Sequence, residues 1–333
     1  MTIRVGLLGA GYMAGEHGTR LATLPDVEIA AICALAGREE MSERLTDGTA
    51  EVFEDFDRML DAVDLDALYV CIPPFAHSGQ EEKAAAAGIH LFLEKPIAID
   101  AERAESIVNA IEAAGVVSQV GYMSRFGAAV RKLKAMIEDG SAGRPTLYQG
   151  RFFCNALHSP WWRAVAKSGG QVLEQVIHQY DLAMHLMGEP ETVCGFADNL
   201  CHEDVEEYTV EDTSVSAIRF KGGAVGSIVG SNCAVPGEWT ADCRVVCENV
   251  TVLFEDVNSA EFVYTNEEPV RREAVTEEVD PIMEETKNFL AAVRGECEPL
   301  APARDGLTGV KLTSAVLKSS AEGGLPVRIG TEV

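Results

Sequence analysis

The sequence predicts an α/β protein in two parts. Residues 1–122 read as a doubly wound parallel sheet, and residues 123–333 as an α+β domain built on an open, mainly antiparallel sheet. Three observations carry this. Compact aliphatic runs alternate with amphipathic stretches through the first third; longer strand-like runs follow; and 333 residues, 47% of them hydrophobic, suffice for two packed cores.

The first-third strands are Ile3 to Leu8, Ile29 to Cys33, Leu68 to Ile72, Ile89 to Leu93 and Val116 to Val120. Their nearly unbroken apolar character is that of strands buried on both faces. Gly15 to Leu24, His77 to Ala87 and Ala101 to Ala114 supply the intervening helices, so strand, helix, strand units wind right-handedly. After Tyr122 a helix over 128–138 runs into a Gly- and Pro-rich turn. Strands are then expected at Leu147 to Cys154, Thr192 to Ala197, Ser214 to Phe220, Ala224 to Ser231, Arg244 to Cys247 and Val250 to Phe254. Gly222-Gly223 is a hairpin signal. One helix from Gln171 to Met187 interrupts this set, and helices over 281–294 and 305–320 close it.

Composition excludes several functions. Lys and Arg total 27 against 53 Asp and Glu, a formal charge of −26 that repels nucleic acid and anionic membranes. No window of about 18 uncharged apolar residues exists to span a bilayer. Gly6, Gly9 and Gly11 interrupt the apolar start, which is read as a strand and turn rather than a leader. The nine cysteines are odd in number and show no CxxC pair, which fits buried thiols in a reducing cytoplasm.

The first strand ends in Gly9-Ala10-Gly11-Tyr12-Met13-Ala14, a GxGxxA turn opening a helix. Glycines there permit a tight turn and close approach of backbone to a pyrophosphate, while the helix N-terminus offers free amides. Strand before, helix after and a βαβ unit around it are the context that identifies a Rossmann dinucleotide site. About 20 residues on, a carboxylate would hold the ribose 2′-hydroxyl of NAD. Ala34 stands there instead, with Arg38 four residues later, so the cofactor is NADP or NAD with a lean to NADP.

Further motifs are Ile72-Pro73-Pro74-Phe75-Ala76-His77 after the fourth strand and Leu93-Glu94-Lys95-Pro96 after the fifth. Ser168-Gly169-Gly170, Glu174 to Asp181, Asp305-Gly306-Leu307 and Ser319-Ser320 follow. Together with the glycine turn they resemble the glucose-fructose oxidoreductase, inositol dehydrogenase and rhizopine-catabolism (Gfo/Idh/MocA) family over essentially the whole chain. The resemblance implies a nicotinamide cofactor held by a Rossmann domain, a C-terminal sheet that serves as an oligomer interface, and hydride transfer at a carbinol carbon of a sugar or cyclic polyol. It also implies a cis Lys-Pro bond. By the same resemblance, Ile72, Pro73, Pro74, His77, Glu94 and Lys95 join Gly9, Gly11, Tyr12, Met13, Ala14, Ala34 and Arg38 at the cofactor. The family's acid-base histidine maps onto His178, with Glu174 where an aspartate is usual. A second departure is Gln171, where a third glycine is frequent.

The residues themselves support the same site. Lys95 falls at the carboxyl end of a parallel strand, where open α/β sheets bind ligands. On a helix over 171–187, Glu174, His178, Asp181 and His185 fall within roughly 60° of one another, a polar stripe with no Lys or Arg. Lys95, His178 and Glu174 are therefore the catalytic candidates. Tyr122, Arg125, Trp162, Arg163 and Asp181 are substrate-binding candidates, Arg125 having a linker ion pair as its alternative and Trp162 core packing. No metal is expected, since hydride transfer needs none and no further His or Cys motif completes a set on His178, Asp181 and His185.

The expected activity is reversible oxidation of a secondary alcohol of a sugar, sugar derivative or cyclic polyol. The partners expected are a small-molecule substrate and a second copy of the chain, as homodimer or homotetramer. Two alternatives stand beside it: a cofactor-retaining lyase or glycosidase that oxidises its sugar transiently, and a non-catalytic NAD(P)-sensing regulator.

Overall fold

Six parallel strands and their connecting helices form the first unit of the structure, a computed structural model that describes residues 2–330. In chain order these are β1 (Ile3–Leu8), α1 (Tyr12–Leu21), β2 (Val27–Cys33), α2 (Arg38–Thr46), β3 (Glu51–Phe53), α3 (Phe56–Ala62) and β4 (Ala67–Val70), then α4 (Gln80–Ala86), β5 (His90–Leu93), α5 (Ala101–Ala114) and β6 (Ser118–Val120). The strand order is β3-β2-β1-β4-β5-β6, the doubly wound order in which a crevice opens beyond the carboxyl ends of β1 and β4. Val5, Leu7, Leu68, Tyr69, Val70, Leu91, Phe92 and Leu93 have no exposed surface, which is why these strands read as continuous apolar runs. The elements missing from the sequence reading, α2, β3 and α3, lie toward the sheet edge. β3 has only three residues, two of them exposed, so it lacks a hydrophobic pattern.

The second unit contains α6 (Ala128–Glu138), β7 (Pro145–Phe153), α7 (Pro160–Arg163), α8 (Val165–Ser168), α9 (Gln171–Glu174), α10 (Ile177–Met187), β8 (Pro190–Asp198), β9 (Thr213–Phe220) and β10 (Val225–Ser231). Next along the chain come β11 (Cys243–Cys247), β12 (Val250–Phe254), β13 (Ser259–Tyr264), β14 (Arg271–Thr276), α11 (Pro281–Val293), which past Pro281 belongs to the first unit, α12 (Ala303–Ala321), which returns to the second at Thr308, and β15 (Val327–Arg328). Its nine-stranded sheet runs β14-β13-β12-β11-β7-β10-β9-β8-β15 and is antiparallel except where β7 and β10 pair in parallel. The Gly222-Gly223 hairpin forms as expected, with Gly223 N–H donating to Phe220 O and Gly223 at φ +88°. Burial alternates along β9, with Ile218 and Phe220 turned to the helices and Val215, Ala217 and Arg219 to the open face. Tyr148, Ile228, Val245, Val252 and Phe262 pack with Val176, Tyr180 and Leu186 as the core of this unit.

The sequence reading placed one boundary near residue 122. The contacts give a two-segment composition: the described residues up to Met123 group with Ile282–Leu307, and Ser124–Pro281 groups with the residues from Thr308 onward. The physical reason is aromatic. Phe289 of α11 sits edge-on to Tyr69 and Phe92, at 5.6 Å from each, and these two stack at 4.5 Å.

Candidate active site

The glycine turn is built by backbone constraint. Gly9 has φ +110°, and a Cβ there would run into the carbonyl of Cys71, so only glycine fits. Gly11 is the N-cap of α1 and caps it with no side chain; a Cβ on it would meet nothing within 4 Å. The first amides of α1 thus face open space with no side-chain acceptor, and a diphosphate fits that arrangement. Tyr12 is 79% exposed at its edge, whereas Ala14 is fully buried and serves the packing of α1 against the sheet. Met13 is half-buried.

Arg38 is already engaged. Its Nη1 donates to the carbonyls of Ala34 and Leu35, both at 2.9 Å, and its Nη2 lies 3.0 Å from Glu39 and 3.8 Å from Glu54. The sequence let it reach a 2′-phosphate; in this structure its Nη1 closes the turn into α2.

After β4, Ile72 and Pro73 are half-buried and Pro74 buried, opening a 3₁₀ turn. His77 follows, buried, with Nδ1 2.5 Å from Glu81 Oε1, and Glu81 is in turn paired with Arg103 at 2.9 Å. That network anchors α4 beneath the turn.

At the end of β5 the Glu94 carboxylate is buried. Oε1 lies 2.8 Å from Nε2 of His17, which has no exposed surface, and Oε2 accepts from the Lys95 amide at 3.0 Å. The carboxylate therefore fastens the Lys95 turn to α1, and Lys95 is half-buried with a cis bond to Pro96. His17 carried no signal in the sequence beyond ordinary surface or core use; the structure places it on the buried face of α1 with Ala14, Gly18 and Leu21. Tyr122, just past β6, is buried as well.

In the second unit the expected single helix over 171–187 is two. α9 ends at Glu174, Gln175 and Val176 intervene, and α10 begins at Ile177, the Gln175 backbone standing at φ −111°. Tertiary contacts displace the helical period here. Glu174 Oε2 accepts from Trp162 Nε1 at 2.7 Å, and the Glu211 carboxylate, pushed up to about 7 by burial, accepts from the Val172 amide at 2.6 Å to cap α9. Neither bond is readable from spacing. Glu174 and His178 are both half-buried, His178 in the first turn of α10.

The polar stripe divides accordingly. Asp181 has no exposed surface and forms a forked ion pair with Arg125, with Nη2 at 2.6 Å and Nε at 3.1 and 3.2 Å. The two substrate-binding candidates thus bind each other, the alternative that the sequence left open for Arg125. His185 is held neutral, its pKa pulled down to about 3 by burial and by nearby Arg125 and Lys134. Trp162 is buried, with the His158 ring 4.2 Å away. Arg163 bonds its own loop, to the carbonyls of Leu157 at 2.7 Å and His158 at 3.0 Å.

Comparison with known proteins agrees with this architecture. Residues 3–122 match the oxidoreductase family with NAD-binding Rossmann fold, and residues 130–253 match the GFO/IDH/MocA C-terminal domain. The chain is 28% identical over 329 residues to myo-inositol 2-dehydrogenase of Thermotoga maritima, covering 96% of this chain and 97% of that protein. It is 30% identical over 238 residues to scyllo-inositol 2-dehydrogenase (NAD(+)) of Bacillus subtilis, covering 71% and 69%. The solved WlbA dehydrogenase of Bordetella pertussis, in complex with NADH and UDP-GlcNAcA, superposes over 100% of both chains with a TM-score of 0.85 at 26% identity. With its glycine turn, its Glu-Lys-Pro turn after β5 and both family domains in order, the chain belongs to the Gfo/Idh/MocA family of NAD-binding oxidoreductases.

Proposed function

We propose that this chain oxidises, reversibly and with NAD, a secondary alcohol of a cyclic polyol or sugar, using Lys95 and His178 on the alcohol oxygen. Its family makes it an NAD-dependent dehydrogenase acting on a CH–OH group. The observation that carries the residue assignment is the buried His17–Glu94 brace, which fixes the backbone of Lys95 at the carboxyl end of β5. A buried carboxylate spent on a turn is an investment in where the next side chain stands.

Gly9, Gly11 and the first amides of α1 hold the diphosphate, with Tyr12, Met13, Ile72, Pro73 and Pro74 beside the cofactor. The bound nicotinamide supplies the two-electron acceptor. The Lys95 ammonium donates to the carbinol oxygen and stabilises developing alkoxide charge, and His178 takes the hydroxyl proton. Because a proton taken up by the imidazole can be returned, His178 serves in either direction. Glu174, braced by Trp162, and the Arg125–Asp181 pair orient His178 from adjacent turns. Tyr122 and Arg163 shape the substrate pocket.

The cofactor is NAD rather than NADP. Nη1 of Arg38 is engaged by two backbone carbonyls, and Glu39 and Glu54 beside Nη2 would repel a 2′-phosphate. A reducing cytoplasm suits the nine free thiols. The second copy docks on the open face of the nine-stranded sheet. Leu147, Val215 and Val225 are exposed there, beside a recess of about 520 Å³ whose lining carries Arg151 and Arg244 with Glu255 and Glu261. Both charge signs on one patch suit a two-fold interface.

The test is a screen of inositols, aldoses and sugar acids with NAD and NADP, following reduced nicotinamide. Lys95→Ala and His178→Ala should each lower kcat by about 100-fold or more while leaving NAD affinity near that of the parent. Near-normal turnover in both variants overturns the assignment. A redox-neutral lyase would convert substrate without accumulating free NADH, and a sensor would bind cofactor without turnover. Full-length relatives named as dehydrogenases support neither.

A further inference from the structure

Three neighbouring strands of the second unit end in a group of side chains that the dehydrogenase chemistry does not use. Cys201 and His202 lie on the loop after β8, Asp212 immediately precedes β9, and Cys233 follows β10. The Sγ atoms of Cys201 and Cys233 and a carboxylate oxygen of Asp212 all lie within 4.8 Å of one another. His202 Nδ1 completes the set, 2.9 Å from Asp212 Oδ2 and 4.0 Å from Cys233 Sγ.

The group is pre-arranged by its surroundings. The Asp212 carboxylate is buried and accepts from the backbone amides of Leu200 at 3.0 Å, Cys201 at 2.8 Å and His202 at 3.1 Å, so the loop is folded around it. The Tyr208 ring stacks on the His202 imidazole at 4.5 Å and 18°, fixing its orientation. Cys201 is exposed, which leaves an entry path.

We propose that Cys201, His202, Asp212 and Cys233 form a four-coordinate site for a divalent transition metal, zinc by preference. Two sulfurs, one imidazole nitrogen and one carboxylate oxygen are the donor set of a closed structural zinc site; the sulfurs and the carboxylate oxygen already lie within 4.8 Å of one another, and His202 Nδ1 stands beside Asp212 and Cys233. Calcium and magnesium would want more oxygens. Metal binding releases the thiol protons of Cys201 and Cys233 to solvent and displaces the Nδ1–H donated to Asp212 Oδ2, while the backbone amides keep their acceptor. The ion would tie the 199–202 loop to the ends of β9 and β10. From the sequence no metal is expected anywhere, because no His or Cys motif completes a set on His178, Asp181 and His185; Cys201, His202, Asp212 and Cys233 form no motif because they come from three separate stretches of the chain.

The experiment titrates the full chain with zinc after chelator dialysis, in competition with a chromophoric chelator, and with cobalt as a spectroscopic probe. Expected are one zinc per chain, a zinc-dependent rise in Tm, and tetrahedral cobalt bands with a thiolate charge-transfer feature. Cys201→Ser and Cys233→Ser should each weaken binding by about 100-fold and the double variant should abolish it. Circular dichroism and NAD affinity near those of the parent would show that these variants fold. Absence of stoichiometric zinc binding, or undiminished binding in the double variant, overturns the proposal. Loss of two hydrogens by intact mass on peroxide treatment, in a chain that takes up no zinc, also overturns it and assigns Cys201 and Cys233 as a disulfide pair.

Discussion

Residue by residue, the site's chemistry depends on side chains that never touch a ligand. His17 and Glu94 are buried together, as are Arg125 and Asp181, and each pair fixes the backbone beside a proposed catalytic group. Removing Arg125 or Asp181 would typically cost about 3–5 kcal/mol, because the other charge is stranded. His185 gives the pH signature. Its pKa falls from 6.5 to about 3 in the folded chain, so below about 6.5 the unfolded chain binds a proton that the folded chain refuses. Stability is therefore complete above that pH and declines as pH falls toward 3. Urea denaturation at about pH 7 and about pH 5 should show a loss of up to about 2 kcal/mol that His185→Gln removes. An unchanged slope in the variant would locate the titration elsewhere. Lys95 and His178 stood out in the sequence because motifs surround them. His17 did not, because a histidine on an apolar helical face reads as ordinary core.

At the level of elements, the β1 turn and the α9–α10 break show the two ways in which sequence and structure relate. The turn is local: Gly9 at φ +110° against the Cys71 carbonyl leaves no room for another residue. Gly9→Ala should destabilise the chain by about 2 kcal/mol or more in chemical denaturation and weaken NAD binding measured by calorimetry, whereas Gly11→Ala should spare stability and lower affinity. Equal stability losses in both would contradict that division. The break at Gln175 and Val176 is not local. The 171–187 segment keeps its apolar pattern throughout, and the Trp162–Glu174 and Glu211–Val172 bonds, made to residues outside it, hold the first of its two helices. Strands β13 and β14 escaped the reading for a related reason, since β14 is half-exposed at the sheet edge and its charged residues mask the alternation.

For the whole molecule, the nine-stranded sheet covers one face with helices and leaves the other open. Light scattering coupled to gel filtration should give a dimer or tetramer. Charge reversal at Arg151 and Arg244 should shift it toward monomer while leaving NAD binding intact, and a monomeric parent chain would remove the proposed interface. The same sheet carries the Cys201, His202, Asp212 and Cys233 group at one set of strand ends, so a metal there would act on the sheet's own geometry.

The sequence by itself determined the doubly wound sheet, the glycine turn, the position of Lys95 and the family, because continuous apolar runs, glycine at positive φ and short motifs are local in the chain. Only the tertiary structure decided what holds those parts: His17 on Glu94, Arg125 on Asp181, Arg38 turned onto its own backbone, and residues 282–307 joined to the first unit through Phe289. Apart from Arg38, whose partners are three and four residues away, those choices depend on which groups far apart in sequence become neighbours in space, and burial makes the polar pairs costly to leave unpaired.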